Sequence, residues 1–136
     1  MPVTDGSRLE RRLPADPASI TALRRAVVDY AARAGVSQRR REDVALAVSE
    51  ALSNAVMHAY HLRDGDEPGE IRVNARIDAA VLEVAVSDDG DGMQSRRDSP
   101  GLGLGLALMS QVTDGLRLES RGPQRGMSVR MTFALD

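Results

Sequence analysis

Apolar residues recur at helical spacing in the first part of the chain, and two segments there predict helices. Asp16 followed by Pro17 is a strong helix start, because Asp caps the first turn and Pro fits the first helical position. Apolar residues three and four apart then continue to a stop at Gly35. Ser37 is the predicted cap of a second helix that runs to about Tyr60.

The hydrophobic period changes to two after a turn-rich loop over residues 61–69, which predicts strands in the second part of the chain. Predicted strands cover 9–13, 71–77, 82–86, 116–120 and 127–135, with a turn at 78–80, a glycine-rich region over 88–105 and a short helix to about residue 114. Consecutive hairpins with early helices predict an α+β fold. We expect a two-layer sandwich with helices on one face of a mostly antiparallel sheet. Residues 1–7 are expected to form a flexible tail and 8–136 a single domain.

Composition narrows the function classes. The 136 residues include no cysteine, which excludes disulfides and thiolate metal sites, and no lysine, which excludes a Walker A loop and Schiff-base chemistry. The net charge of -2 and the scarcity of aromatic residues argue against a direct nucleic-acid binder. No run of about 18 apolar residues is present, so no membrane span and a cytoplasmic location are expected.

Three polar residues form a row on the second helix. Glu50, Asn54 and His58 stand four residues apart, beside the apolar stripe of that helix. An amide oxygen beside a carboxylate suits Mg²⁺, and the carboxylate could act as a base. The alternative is a helix rim whose side chains only bond locally.

A carboxylate ends the second predicted strand of the central hairpin. Asp88 is in phase with the apolar residues of that strand, so it should point toward the core, where it needs hydrogen-bond donors. The amino group of a purine is one such donor. Gly90 and Gly92 would let the backbone pass close to a flat ring. A plain turn after the strand is the alternative.

Alternating glycines precede the last helix. Gly101, Gly103 and Gly105 are predicted to open that helix, where backbone N–H groups could bind an anion. The alternative is that they allow close contact between helix and sheet.

Taken in order, these three motifs resemble the N, G1 and G2 boxes of the GHKL (Bergerat-fold) ATPase superfamily. Within that superfamily, residues 49–60 and 103–109 are most similar to bacterial anti-sigma-factor serine/threonine kinases. The resemblance extends over roughly residues 9–135. It implies an ATP-binding regulator that phosphorylates Ser or Thr of a small, STAS-like anti-sigma antagonist and sequesters a sigma factor or similar target.

The resemblance also implies a role for each residue. Asn54 binds the Mg²⁺ that bridges the ATP phosphates, and Glu50 is the general base. Asp88 accepts from the adenine amino group. The remaining cofactor-binding residues are His58 near the phosphates, Gly90 and Gly92 at the adenine, and Gly101, Gly103 and Gly105 around the phosphates.

The resemblance also suggests how the protein contacts its partners, and two parts of the sequence depart from the family pattern. Kinases of this group often form homodimers, and Arg24 and Arg25 on the first helix fall where they contact partner proteins. Only eight residues, 93–100, occupy the place of the ATP lid, and Met127 stands where the family commonly has Thr. These departures favour an alternative, a partner-switching module that binds without phosphoryl transfer. The catalytic piece of a sensor histidine kinase is a third reading, disfavoured because no phosphoacceptor helix precedes the fold.

Overall fold

The structure is a computed structural model that describes residues 8–61, 69–89, 102–120 and 126–135. Its elements in chain order are β1 Arg8–Pro14, α1 Pro17–Arg33, α2 Gln38–His61, β2 Glu70–Asp78, β3 Val81–Asp88, α3 Leu102–Val112, β4 Gly115–Ser120 and β5 Met127–Ala134. The predicted tail over 1–7 and the predicted loop and lid residues over 62–68 and 90–101 lie outside the described residues.

The five strands form one sheet in the order β1-β2-β3-β5-β4, and every neighbouring pair is antiparallel. The three helices pack together, and the long helix α2 covers the middle of the sheet. The predicted two-layer α+β sandwich is therefore confirmed. The face of the sheet away from the helices, which we call the outer face, carries the polar residues of the alternating strands.

Local sequence signals explain most boundaries. The Asp16 carboxylate accepts a hydrogen bond from the Ala18 amide at 2.8 Å, so it caps α1 as predicted. The turn between β2 and β3 consists of Ala79 and Ala80, which have φ of 51° and 62°. Two left-handed residues give the turn twist that a tight hairpin needs, although neither is glycine.

The core lies between α2 and the sheet. Its largest fully buried side chains include Leu23, Leu52, Ile71, Leu82 and Phe133. Burying apolar area of this kind is the main stabilising contribution to the fold. Among the described residues no helix is long and apolar enough to cross a bilayer.

A cluster around Arg40 joins the start of α2 to the far end of the sheet. The Arg40 guanidinium donates to the Asp43 carboxylate at 2.7 Å and to the Ala134 carbonyl at 3.0 Å, and it also pairs with the Asp114 carboxylate. Its charge lies 5.6 Å from the centre of the Phe133 ring. We call these residues the Arg40 cluster; it fixes where three elements meet.

Candidate functional site

The predicted row on α2 lies at the contact between α2 and α3. Asn54 is buried, with 8% of its surface exposed, whereas Glu50 is half-buried. The apolar residues beside them are buried against the sheet, so the row stands at the rim of the core as predicted. His58 falls within α2, but its side chain lies outside the described part of the chain.

Helix α3 brings a glycine directly against the row. A methyl group placed on Gly105 would lie 3.3 Å from Asn54 Nδ2 and 3.3 Å from Glu50 Oε2. Only a residue without a side chain lets the α3 backbone approach the amide and the carboxylate this closely. The structure thus joins two of the three sequence motifs at one place.

The glycines sit differently from the prediction. Because α3 begins at Leu102, Gly103 and Gly105 lie inside the first turns of the helix rather than before it. Met109 lies in the core and Leu106 packs against it, which offsets the low helix propensity of the glycines. The backbone amides of the first turn have no partner within a helix, so Gly103 still lies where an anion would be favoured. Gly101 is outside the described residues.

The Asn54 amide is the least satisfied polar group at this site. Its Nδ2 atom is buried and has no hydrogen-bond partner in the described structure. An unpaired buried donor costs about 1 to 3 kcal/mol. A protein keeps such a group where a ligand uses it, because buried polar atoms are otherwise almost always paired.

Asp88 ends β3 in the predicted orientation, with only 4% of its surface exposed. The neighbouring Asp89 accepts a hydrogen bond from the Glu70 amide at 2.9 Å, which fixes the end of β3 to the start of β2. Gly90 and Gly92, the predicted lining of the adenine pocket, lie outside the described residues.

Gly126 supports Asp88 in a way that the sequence motifs did not indicate. It has φ of +87°, and a methyl group there would lie 1.7 Å from the Asp88 carbonyl oxygen. Both the conformation and the contact demand glycine. The signal in the sequence is a glycine immediately before a strand, which is also common in ordinary turns.

Met127 occupies the next position and is 2% exposed. The Ser128 side chain lies on the outer face, where its hydroxyl is 3.2 Å from that of Ser87. Met127 therefore lies on the core side near Asp88, where the resemblance predicts a hydroxyl and this chain has a thioether.

Arg24 reaches α2 beside the row. Its Nη1 atom donates to the Ser49 hydroxyl at 3.3 Å, one residue before Glu50, while Arg25 is exposed. The two arginines predicted to contact partners therefore differ in their surroundings. Arg24 is hydrogen-bonded within the protein, whereas Arg25 is exposed to solvent.

Residues 13–133 match the model of the histidine kinase-like ATPase domain family. The chain belongs to this family. Serine-protein kinase RsbW of Listeria innocua is 35% identical over 140 residues, which cover 92% of this chain and 85% of that protein. Serine-protein kinase RsbW of Bacillus subtilis (strain 168) is 32% identical over 143 residues, covering 94% of this chain and 86% of that protein. The predicted superfamily and its kinase branch are confirmed.

A solved structure shows the same fold. The crystal structure of the RsbU and RsbW domains of Rv1364c from Mycobacterium tuberculosis has a TM-score of 0.75 to this chain and is 22% identical in sequence. The match covers 96% of this chain and 33% of that one, so this chain spans about a third of the solved protein.

One buried side chain at this site could hold a metal ion. No three carboxylates or histidines converge among them, so the part of the chain that is described holds no closed metal cage. Mg²⁺ in nucleotide sites needs only one or two protein oxygens, since phosphates and water complete its shell. Asn54 can supply such an oxygen, because a half-turn of its amide exchanges oxygen and nitrogen.

Proposed function

We propose that this protein is an ATP-dependent protein serine/threonine kinase that phosphorylates a small antagonist protein and sequesters a sigma factor. The observation that carries the proposal is the close approach of Gly105 to Glu50 and Asn54, with the buried amide of Asn54 unpaired. The relatives named serine-protein kinase support the same chemistry.

The adenine end of the nucleotide would lie against Asp88. Its carboxylate, held by Asp89 and Gly126 through the backbone, would accept a hydrogen bond from the exocyclic amino group. A guanine presents a carbonyl at that position and would face the carboxylate with no donor there. Gly90 and Gly92 would line the ring, and this role follows from their place in the motif.

The phosphates would lie between α2 and α3. Asn54 would hold Mg²⁺, which would neutralise phosphate charge when bound. Gly101, Gly103 and Gly105 would present backbone to the phosphates, and His58 would lie near them. Gly105 has the most direct structural support, because its backbone lies directly against Asn54 and Glu50.

Glu50 would act on the acceptor. Its carboxylate would take the proton of the Ser or Thr hydroxyl as that oxygen forms a bond to the γ-phosphorus. The bond from the γ-phosphorus to the bridging oxygen breaks, and ADP leaves with the electron pair. Because Glu50 is only half-buried, a hydroxyl from a second protein can reach it.

Calorimetric titration with ATP, ADP and GTP, each with and without Mg²⁺, tests the proposal. We expect Mg²⁺-dependent binding of ATP and ADP and much weaker binding of GTP. The Asn54→Leu protein should lose the Mg²⁺ dependence, whereas Asn74→Leu, the same change on the outer face, should keep it. No binding of any nucleotide by the wild-type protein would reject the proposal.

The acceptor is tested separately. Incubation with ATP and a STAS-like antagonist protein of the same organism should yield one phosphorylated Ser or Thr on that protein. Co-sedimentation with purified sigma factors of that organism, repeated with and without the antagonist, then tests sequestration. Sedimentation of the kinase alone tests whether it forms a homodimer, for which Arg25 on α1 offers an exposed surface.

Met127 favours a second candidate function, a partner-switching module without phosphoryl transfer. A buried thioether beside Asp88 cannot donate the hydrogen bond that a hydroxyl there would give. Weaker nucleotide binding follows. Under this alternative the antagonist would be bound but never phosphorylated, and Met127→Thr would tighten ATP binding without adding kinase activity.

A further inference from the structure

The outer face of the sheet carries three rows of side chains whose neighbours are fixed by the strand register. One row runs Arg12, Arg72, Ser87, Ser128, Glu119, the next Glu10, Asn74, Ala85, Arg130, Arg117, and the third Arg8, Arg76, Glu83, Thr132, Gly115. The helices cover the opposite face, so none of these side chains belongs to the candidate kinase site.

Arginines face each other directly at three places in these rows. Arg8 lies opposite Arg76, Arg12 opposite Arg72, and Arg117 opposite Arg130. Like charges directly opposite each other on neighbouring strands destabilise a sheet. Three such pairs on one face reduce the stability of the fold. Folding stability therefore does not explain why these arginines are present.

The available acids pair with only one arginine of each facing pair. Glu83 contacts Arg130 at 3.1 Å and Arg76 at 3.4 Å, and Glu119 contacts Arg130 at 3.6 Å. The other member of each facing pair (Arg8, Arg12 and Arg117) has no ion pair within the described ranges. Arg72 reaches only Glu70, at 3.8 Å, and its buried Nε atom has no hydrogen-bond partner in the described structure.

Small residues at the centre of the face leave two adjoining hollows. Ala85, Ser87 and Ser128 form the floor, and longer side chains around them form walls. The hollows measure 360 and 310 Å³ and share Asn74 and Arg130 in their lining. They are open and shallow, which suits side chains of another protein better than an enclosed small molecule.

We propose that this face binds an acidic surface of a partner protein. Guanidinium groups bind carboxylates in a two-pronged geometry, and arginine is enriched where proteins bind each other. Carboxylates entering the hollows would form ion pairs with the unpaired guanidinium groups at both margins. The serine hydroxyls and the Asn74 amide would donate further hydrogen bonds to them.

The charge pattern distinguishes this occupant from two others. If a second copy of this chain docked face to face, the arginines at its margins would lie against the arginines of the first copy, and the like charges would repel. Nucleic acid presents a continuous line of phosphates that would have to cross Glu10, Glu83 and Glu119, whereas the separate carboxylates of a protein can pair with the arginines and avoid these glutamates. Because the face lies behind the sheet, an acidic partner bound there would leave the Glu50 site open.

A decaglutamate peptide serves as the probe for the test. The Arg12→Glu/Arg117→Glu variant removes two exposed, unpaired guanidinium groups, one at each margin of the face. The matched control, Arg33→Glu/Arg39→Glu, makes the same charge change at exposed positions outside the sheet. We expect the outer-face change to weaken peptide binding about tenfold and the control about twofold, because local pairing outweighs overall charge. Backbone NMR shifts on titration should fall on β2, β3 and β5.

A second readout separates binding from folding. Each new glutamate faces an arginine, so the outer-face variant should melt a few degrees higher than wild type while it binds more weakly; the control should not. Equal loss of peptide binding in the two variants would overturn the proposal. So would tighter binding of a DNA duplex than of the peptide, or a wild-type dimer that the outer-face variant dissociates.

Discussion

The two ends of helix α2 differ in how completely their polar groups are paired. At the Arg40 cluster, the guanidinium meets two carboxylates, two carbonyl groups and an aromatic ring. At the other end, Asn54 Nδ2 is buried without a partner in the described structure. The first arrangement holds the fold together, and the second is ready for a ligand. Polar groups alone therefore do not mark a site; the state of their pairing does.

The largest expected effect is on catalysis, from Glu50→Gln. The change keeps the shape of the side chain and removes the base, so phosphorylation of the antagonist should fall about 10²- to 10⁴-fold. ATP affinity should change little, because the amide still fits beside Gly105. Glu42→Gln, on an exposed turn of the same helix, is the control. If the Glu50→Gln variant phosphorylated the antagonist at the wild-type rate, Glu50 would not be the base.

Arg40→Met should have the largest effect on stability. It keeps most of the apolar stem but leaves Asp43 and Asp114 without their shared partner, which should cost about 2 to 3 kcal/mol. Urea denaturation followed by circular dichroism measures the loss. The exposed neighbour Arg39→Met should change stability by less than about 0.5 kcal/mol. Equal effects would show that the cluster is ordinary surface.

Asn54→Leu should act in the opposite direction on stability. Leucine has nearly the same shape and removes an unpaired buried donor, so the free energy of unfolding should rise by about 1 kcal/mol. The Mg²⁺ dependence of nucleotide binding should be lost in the same protein. A destabilised Asn54→Leu protein would mean that the amide is already satisfied in the absence of ligand, and the contrast between the two ends of α2 would disappear.

The smallest expected effect comes from Gly105→Ala. Alanine favours the helix by about 1 kcal/mol over glycine, which offsets the tight 3.3 Å contacts to Asn54 and Glu50. Stability should therefore stay nearly constant, while the added methyl narrows the site and weakens ATP binding several-fold. Ala107→Gly, at an exposed position of the same helix, should reduce stability and leave ATP binding unchanged.

Local signals in the sequence predicted most of the fold. The Asp16 cap, the period change after α2 and the inward phase of Asp88 each depend on a few neighbouring residues, and each prediction is confirmed. The start of α3 was placed too late because its glycines have low helix propensity, and only contact with α2 reveals why they are tolerated. Local patterns fail where tertiary packing overrides propensity.

Contacts between distant parts of the chain escaped prediction. Arg40 binds the Ala134 carbonyl across 94 positions, and Gly126, immediately before β5, lies against the Asp88 backbone. No periodicity encodes such pairs. At the site, the motif order indicated Glu50, Asn54 and Gly105 together, but the unpaired state of the Asn54 amide depends on how α2 and α3 pack and is not encoded in the motif.

Because α2 carries both Arg40 and Asn54, the number of residues between them must be kept, whereas the residues themselves can be exchanged. Inserting or deleting one residue between them would rotate one end against the other by about 100° and shift it by about 1.5 Å. Either the Arg40 cluster or the row against Gly105 would then point the wrong way. Homologous chains can exchange residues along this helix, but changes in length should accumulate outside it.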